Sequence, residues 1–91
     1  MKEIRRTSQF KKDFKRYRNN KAKVEALFAV LQLLQQGQPL PEKYKAHILT
    51  GNLQGVWKCH IESDYLLLWI DETLETVVLM RLGSHSEVLG L

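Results

Sequence analysis

The sequence has a single cysteine, Cys59, so no disulfide bond can form within the chain, which agrees with a reducing compartment. One cysteine and three histidines cannot supply the spacing of a zinc finger. No apolar run approaches the roughly 20 residues that a membrane-spanning helix needs, and the basic N-terminus lacks the apolar core of a signal peptide. We therefore expect a cytoplasmic protein without metal, cofactor or membrane partner. The 91 residues are enough for one domain, 1–91, with one modest core.

Positive charge is concentrated at the N-terminal end of the chain. Residues 1–23 hold ten of the fourteen Lys and Arg residues against two acidic ones, whereas residues 24–91 hold four basic and eight acidic residues. A basic end of this kind suggests a polyanion or an acidic protein as partner. A solvated helix face would give the same pattern, so charge alone leaves both interpretations open.

The first predicted elements are a short strand over residues 2–6 and an amphipathic helix over about 8–18. Phe10, Phe14 and Tyr17 recur at helical spacing and define the buried face of this helix. Its other face is basic and is a candidate RNA-binding surface, formed by Lys11, Lys12, Lys15, Arg16 and Arg18.

A second helix is predicted over residues 21–36 and is ended by Gly37 in the manner of a helix C-cap. The strands that follow are a short strand or strand entry over 47–50 and three longer strands over 56–62, 65–70 and 75–82. The strand over 65–70 is apolar on both faces and should be central. The predicted fold is α+β, with two helices packed on one face of a small twisted antiparallel sheet in the order β-α-α-β-β-β.

Polar residues with useful chemistry lie in or beside these strands: His60, Asp64, Arg81 and His85. A hairpin that turns at residues 71–74 would bring Arg81 level with residue 64 or 65. Arg81 would then lie beside Asp64 and Tyr65, and His85 follows within four residues. We therefore expect two imidazoles, a carboxylate and a guanidinium at one edge of the sheet, with Tyr65 alongside as a flat surface.

This set of groups is suited to cleaving RNA without a metal ion. Histidine titrates near neutral pH and can take a proton from the 2′-hydroxyl or give one to the leaving 5′-oxygen. Arginine can bind the phosphate and offset its growing charge, and a tyrosine face can stack on a base. Structural roles are equally compatible with the spacing, including a plain salt bridge between Arg81 and Asp64.

The loop over residues 37–46 places two cations around an aromatic ring. Lys43 and Lys45 flank Tyr44, an arrangement that can contact a nucleotide. The alternative is an ordinary loop whose tyrosine packs back against the core.

Two long stretches of the sequence resemble a known family. They read YKAHILTGNLQGVWKCHIESDYLLLWI at 44–70 and LMRLGSHSEVLG at 79–90. They contain the patterns YK-x-H-x-L-x-G, H-[IV]-E-x-D-[WY] and R-x-G-[ST]-H. With the helical segment SQFKKDFKRYRNN they resemble the YafQ branch of the RelE/ParE toxin superfamily over essentially the whole chain.

The resemblance implies a RelE-like fold and a toxin that cuts messenger RNA in the ribosomal A site. It implies a cognate antitoxin as partner, and operator DNA as a partner only of the toxin–antitoxin complex. The family's catalytic residues fall on His47, His60, Asp64, Arg81 and His85. Tyr65 stands where close relatives often have a tryptophan, which keeps an aromatic surface for RNA.

The predicted reaction is attack of the 2′-hydroxyl on the adjacent phosphate, giving a 2′,3′-cyclic phosphate and a 5′-hydroxyl. Asp64 or a histidine is the base, His85 is the preferred acid, and Arg81 stabilises the phosphorane. The basic helix would contact ribosomal RNA. Two alternatives stay open, namely a ParE-like toxin that acts on gyrase and a non-catalytic domain that binds only an antitoxin. The ParE-like proteins lack the His/Asp constellation.

Overall fold

The computed structural model describes residues 1–53 and 55–90 and confirms the predicted α+β fold. Its elements are β1 (Glu3–Arg6), α1 (Ser8–Lys15), α2 (Lys21–Gln35), β2 (His47–Ile48), β3 (Trp57–Glu62), β4 (Tyr65–Thr73), β5 (Thr76–Gly83) and α3 (His85–Leu89). Single 3-10 turns lie at Glu42–Tyr44 and Gly51–Leu53. Among the described residues, no helix is long and apolar enough to cross a membrane.

The five strands form one sheet in the order β1-β5-β4-β3-β2. Strands β2 to β5 pair antiparallel as predicted, but β1 runs parallel to β5, so the sheet is mixed. Neighbours joined by a short hairpin must run antiparallel. No hairpin joins β1 to β5, because α1 and α2 carry the chain from one edge of the sheet to the other, and the direction of β1 is therefore not fixed by a turn.

Local capping fixes where the two long helices begin and end. The Thr7 hydroxyl oxygen accepts a hydrogen bond from the Phe10 N–H at 3.0 Å, and the hydroxyl donates to the Leu79 carbonyl at 3.0 Å, which ties the start of α1 to β5. Asn20 caps α2 by accepting from a first-turn N–H. Helix α2 ends before Gly37, whose φ of 70° suits a residue without a side chain.

Apolar side chains are buried on both faces of the sheet. The helix-covered face holds the larger cluster, to which α1 and α2 contribute Phe10, Leu27, Val30 and Leu34 and the sheet contributes Cys59, Tyr65, Leu67, Val77, Leu79 and Leu82. The opposite face holds a smaller cluster of Leu66, Leu68 and Val88, so α3 packs there. Strand β4 is buried from residue 65 to residue 69, which confirms that it is central.

The β4–β5 hairpin turns later than predicted. Thr73 pairs with Thr76, and Arg81 pairs with Leu68 rather than lying level with residue 64 or 65. The polar segment 71–73 extends β4 beyond the core, and its composition is equally typical of a turn. A β-bulge at Met80 then shifts the side-chain alternation of β5.

Asp13 is the one charged residue that is buried among the residues that the structure describes, with 0% of its surface exposed. Its carboxylate accepts hydrogen bonds from Arg81 Nε at 2.8 Å, from the Leu82 N–H at 3.0 Å and from Gln9 Nε2 at 3.1 Å. Burial raises the pKa of this carboxyl, but the hydrogen bonds from Arg81, Leu82 and Gln9 outweigh burial and hold the pKa below its usual value. The carboxylate therefore fastens α1 to β5.

We expect Asp13→Asn to destabilise the fold by about 3 kcal/mol at pH 7, because it leaves the Arg81 guanidinium without its charged partner. Since the pKa of Asp13 is lower in the folded chain, its contribution is complete above the unfolded value near 3.8 and is lost as pH falls through the folded value. Urea unfolding at several pH values measures this. The control Asp71→Asn removes an exposed carboxylate 4.0 Å from Lys2. Equal effects of the two changes would contradict the role of Asp13.

Candidate active site

His60 and His85 lie side by side on the face of the sheet opposite α1 and α2. The centroids of their rings are 5.4 Å apart. His60 is on β3, whereas His85 is the first residue of α3, directly after β5. The predicted approach of two imidazoles is therefore present, with each ring supplied by a different element.

Asp64 holds His85 from the turn between β3 and β4. One carboxylate oxygen, Oδ1, lies 2.6 Å from His85 Nδ1 and accepts the His85 backbone N–H at 2.9 Å. The hydrogen bond from the His85 backbone N–H makes the largest contribution to lowering the pKa of the exposed Asp64 carboxyl, and the contact with the His85 ring lowers it further. Because the carboxylate contacts Nδ1, it fixes the ring orientation and leaves Nε2 as the nitrogen that can meet a substrate.

Helix α3 places His85 through a capping box. Ser84 Oγ accepts the Glu87 N–H at 3.2 Å, and Glu87 Oε1 accepts the Ser84 N–H at 2.9 Å. Gly83 precedes the box with a φ of 150°, and a Cβ there would lie 2.6 Å from Glu87 Oε1 and 3.3 Å from Glu87 Cβ. The turn that delivers His85 therefore requires glycine at residue 83.

Arg81 does not contact Asp64, so the expected pairing of these two residues is wrong. Its Nε and Nη2 atoms reach Asp13, and Nη2 also donates to the Glu87 carbonyl at 2.9 Å. Arg81 thus links α1, β5 and α3. The physical reason is the later hairpin turn and the bulge at Met80, which place Arg81 opposite Leu68.

The sequence pattern predicts the capping box of Ser84 and Glu87, which is confirmed, but it did not identify Asp13 as part of this arrangement. A signal for Asp13 was present, since it falls at helical spacing between Phe10 and Tyr17 on the face that becomes buried. Glu87 accepts a hydrogen bond from Tyr17 Oη at 2.7 Å and lies 3.5 Å from Arg16. It therefore connects α3 to the end of α1.

The expectation that Tyr65 offers a flat surface for a base is wrong. Its side chain is in the larger core, and only 1% of the residue is exposed. The Tyr17 ring lies 4.9 Å away and Lys23 Nζ lies 4.6 Å from the Tyr65 ring centroid. Tyr65 alternates with Leu66 along β4, and this alternation directs it to the helix-covered face.

His47 lies on the edge strand β2, exposed and directly opposite Lys58 on β3. Opposed residues in an antiparallel pair share a face, as do residues two apart on one strand. His47, Lys58 and His60 are therefore on the same face of the sheet. His47 Nδ1 lies 3.0 Å from the Lys45 carbonyl, which orients the ring.

The surroundings of His60 favour its neutral form. Burial lowers the pKa of His60, the Ser63 backbone opposes this, and the positive charges of Lys58 and Lys45 with the neighbouring His85 lower it further. A neutral imidazole at pH 7 can accept a proton. His60 is therefore suited to act as a base.

The basic residues of the first helix have different surroundings. All five predicted contact residues are exposed, namely Lys11, Lys12, Lys15, Arg16 and Arg18. Arg16 lies 3.5 Å from Glu87 and 3.6 Å from Asp13, so part of its charge is balanced within the fold. Lys11, Lys15 and Arg18 line a shallow cleft between α1 and α2.

Comparison with known proteins identifies the family. The model of the family described as bacterial toxin of type II toxin-antitoxin system, YafQ, matches residues 2–90. The chain belongs to the YafQ family of type II toxin–antitoxin toxins. It is 28% identical to the mRNA interferase toxin YafQ of Escherichia coli K12 over 97% of this chain and 96% of the relative.

Two solved structures extend the match to the YafQ fold. A metal-bound toxin from Helicobacter pylori is 39% identical, with a TM-score of 0.86, over 97% of this chain and 99% of that chain. The Escherichia coli DinJ-YafQ toxin–antitoxin complex matches with 29% identity and a TM-score of 0.84, over 98% of each chain. The RelE-like fold and the family predicted from the sequence motifs are confirmed.

A metal-bound relative raises the question of a metal site in this chain. Within residues 1–53 and 55–90, no three His, Cys, Asp or Glu side chains are grouped as metal ligands would be. The carboxylate and the imidazole nitrogen of the Asp64–His85 pair instead satisfy each other.

We predict that Lys58→Gln raises the pKa of His60, because it removes a positive charge that disfavours the imidazolium form. The parent His60 should titrate below its ordinary value of 6.5. Titration followed by NMR of the imidazole ring protons measures both effects. Lys12→Gln, which removes a charge on α1, should leave the His60 titration unchanged. A parent value at or above 6.5 would contradict the interpretation.

Proposed function

We propose that this YafQ-family protein is an endoribonuclease that cleaves messenger RNA, in the ribosomal A site, by attack of the 2′-hydroxyl on the adjacent phosphate. The observation that carries the proposal is the pair of imidazoles 5.4 Å apart, one of them held by a carboxylate. General acid–base cleavage needs two proton-transfer groups, one on each side of the phosphate. Relatives named mRNA interferase support the same activity.

The two histidines have different surroundings and are assigned different roles. His60 is the general base, since its pKa is lowered and the neutral ring can take the proton of the 2′-hydroxyl. His85 is the general acid, and its Nε2 gives a proton to the leaving 5′-oxygen. Asp64 contacts His85 Nδ1 and so orients the acid and balances its charge when it is protonated. This assigns Asp64 a positioning role in place of the base that the sequence left open.

Arg81 stabilises the pentacoordinate phosphate in this proposal. Its bonds within the described part of the chain use Nε and Nη2, which leaves Nη1 for a phosphate oxygen. The side chain is 28% exposed, so it can meet a ligand without leaving Asp13. A guanidinium held in place by other bonds needs little reorganisation when charge develops on the phosphate. His47 contributes at the edge of the same face, as a phosphate ligand.

The cognate antitoxin is the proposed protein partner, and operator DNA is a partner only of the complex. The Escherichia coli relative was solved with DinJ, and its structure matches this chain over 98% of its length. A ParE-like action on gyrase is less well supported, because the His/Asp constellation expected only of the nuclease branch is assembled here. A purely antitoxin-binding domain would have no use for that constellation.

We expect His85→Ala and Arg81→Ala to lower the cleavage rate by about 10²-fold to 10⁴-fold, the range typical of a proton-transfer group or an oxyanion ligand. Induction without antitoxin, followed by mapping of message 5′ ends with and without translation, measures the loss. Ser86→Ala, an exposed change in the same helix, is the control. Variants that fold and still arrest growth like the parent would contradict the assignment. Intact messages with blocked replication would indicate gyrase.

We expect the triple change Lys11→Gln, Lys12→Gln and Lys15→Gln to weaken ribosome binding and to flatten its salt dependence, because each lost phosphate contact lowers the log–log slope by about 0.7 to 0.9. The matched control changes the same three lysines to arginine and keeps the charge. Sedimentation with ribosomes at several salt concentrations measures both variants. Unchanged binding by the glutamine variant would show that this face is merely solvated.

A further inference from the structure

A cleft lies directly beside His60, between the 3-10 turn at Glu42–Tyr44 and the β3–β4 turn. It has a volume of about 340 Å³ and is open to solvent. Its lining includes Ala26 and Ile61 as an apolar floor, with Lys43, Lys45, His60 and Ser63 on the walls. Because His60 and Ile61 face opposite sides of β3, the cleft lies at the edge of this strand, beyond its pairing with β2, and meets the pair of imidazoles at His60.

Positive charge dominates the walls of this cleft. Lys43 and Lys45 line the cleft and are exposed. Lys58 is outside the lining, two residues from His60 on the same face of β3. The carboxylate on the rim, Glu62, is paired with Lys23 at the start of α2. Its charge is therefore balanced within the fold, whereas Lys43 and Lys45 form no ion pair with any residue that the structure describes and can attract a polyanion that enters the cleft.

The backbone holds these lysines in place. Tyr44 packs against the larger core, and Lys43 Nζ lies 5.1 Å from the Tyr44 ring centroid, so the ring anchors the turn instead of presenting a free face to a base. Lys45 has a φ of 50°, in the left-handed region that residues with a side chain seldom adopt. Its carbonyl contacts His47 Nδ1 at 3.0 Å. One short segment therefore positions both Lys45 and His47.

We propose that this cleft is a subsite for a nucleotide of the RNA that flanks the scissile phosphate, with Lys43 and Lys45 binding its phosphodiester. The inference rests on the proposed nuclease function. It assigns a binding position to the flanking nucleotide, which His60 does not itself contact. A cleft of this size suits a ligand of one nucleotide. The apolar floor receives the sugar or base, and the lysines supply the affinity, because phosphate contacts dominate the binding of single strands.

The test compares Lys43→Gln and Lys45→Asn with the control Arg5→Gln, which removes an exposed charge on β1 at the far edge of the sheet. Asparagine is chosen at residue 45 because it tolerates left-handed backbone better than other uncharged residues. The probes are single-stranded oligoribonucleotides, methylated at every 2′-oxygen so that they cannot be cleaved, as a dinucleotide and as longer strands. Fluorescence anisotropy gives the affinity at several salt concentrations, and circular dichroism confirms folding.

The parent protein should bind the longer strands more tightly than the dinucleotide, and the cleft variants should lose most of this difference. We expect each lysine change to weaken binding of the longer strands about threefold to fivefold and to lower the salt slope by about 0.7. Cleft variants that bind every length like the Arg5→Gln control would overturn the subsite. So would a parent protein with no preference for length.

Cleavage on translating ribosomes separates this inference from the proposed function. An inactive parent protein would overturn the nuclease itself. An active parent whose cleft variants keep the same KM and kcat would overturn only the subsite. With the subsite present, the cleft variants should show a higher KM with kcat within about twofold of the parent, since a flanking contact is made equally in the ground state and the transition state.

Discussion

The buried carboxylate of Asp13 holds α1, β5 and, through Arg81, α3 in their relative positions. A charged group without solvent contact is costly unless each oxygen is bonded, and here an arginine, a backbone N–H and an amide share the two oxygens. Those bonds come from α1 and β5. Arg81, fixed by them, then bonds the Glu87 carbonyl of α3. One carboxylate thus sets the relative positions of a helix, a strand and the element that carries His85.

The position of His85 follows from that chain of contacts and from a second one made by the backbone. Gly83 lets the chain turn out of β5, and the Ser84–Glu87 capping box starts α3 in one direction. Asp64 then meets both the backbone N–H and Nδ1 of His85. A histidine bonded at both its backbone N–H and its Nδ1 atom has few side-chain orientations left. The proposed acid therefore needs little reorganisation before it gives up its proton.

Short-range patterns predicted the parts of this protein that short-range physics controls. The spacing of Phe10 and Phe14 on α1, the end of α2 before Gly37 and the alternation of β3 each follow from local geometry and are present. Helix α1 ends at Lys15, so the predicted helical position of Tyr17 is wrong. The parallel pairing of β1, the place of the hairpin turn and the bulge at Met80 depend on contacts between distant residues. Those contacts determine where the Arg81 side chain lies, and the sequence pattern therefore predicted the wrong carboxylate as its ion-pair partner. The sequence wrongly predicted a surface position for Tyr65, because a tyrosine in an apolar strand fits a buried position and a surface position equally well. The catalytic roles themselves remain predictions.

Lys45 can link binding to chemistry in the proposed mechanism. Lys45 and Lys58 help to lower the pKa of His60 in the free protein, and this keeps its ring neutral and ready to accept a proton. A phosphodiester bound by Lys45 would balance the charge of that lysine and remove part of that effect. The pKa of His60 would then rise while RNA is bound, and the ring would become a stronger base next to its substrate. The positive charge would thus keep the base neutral before RNA binds. Once the bound phosphodiester balances that charge, the base would become stronger.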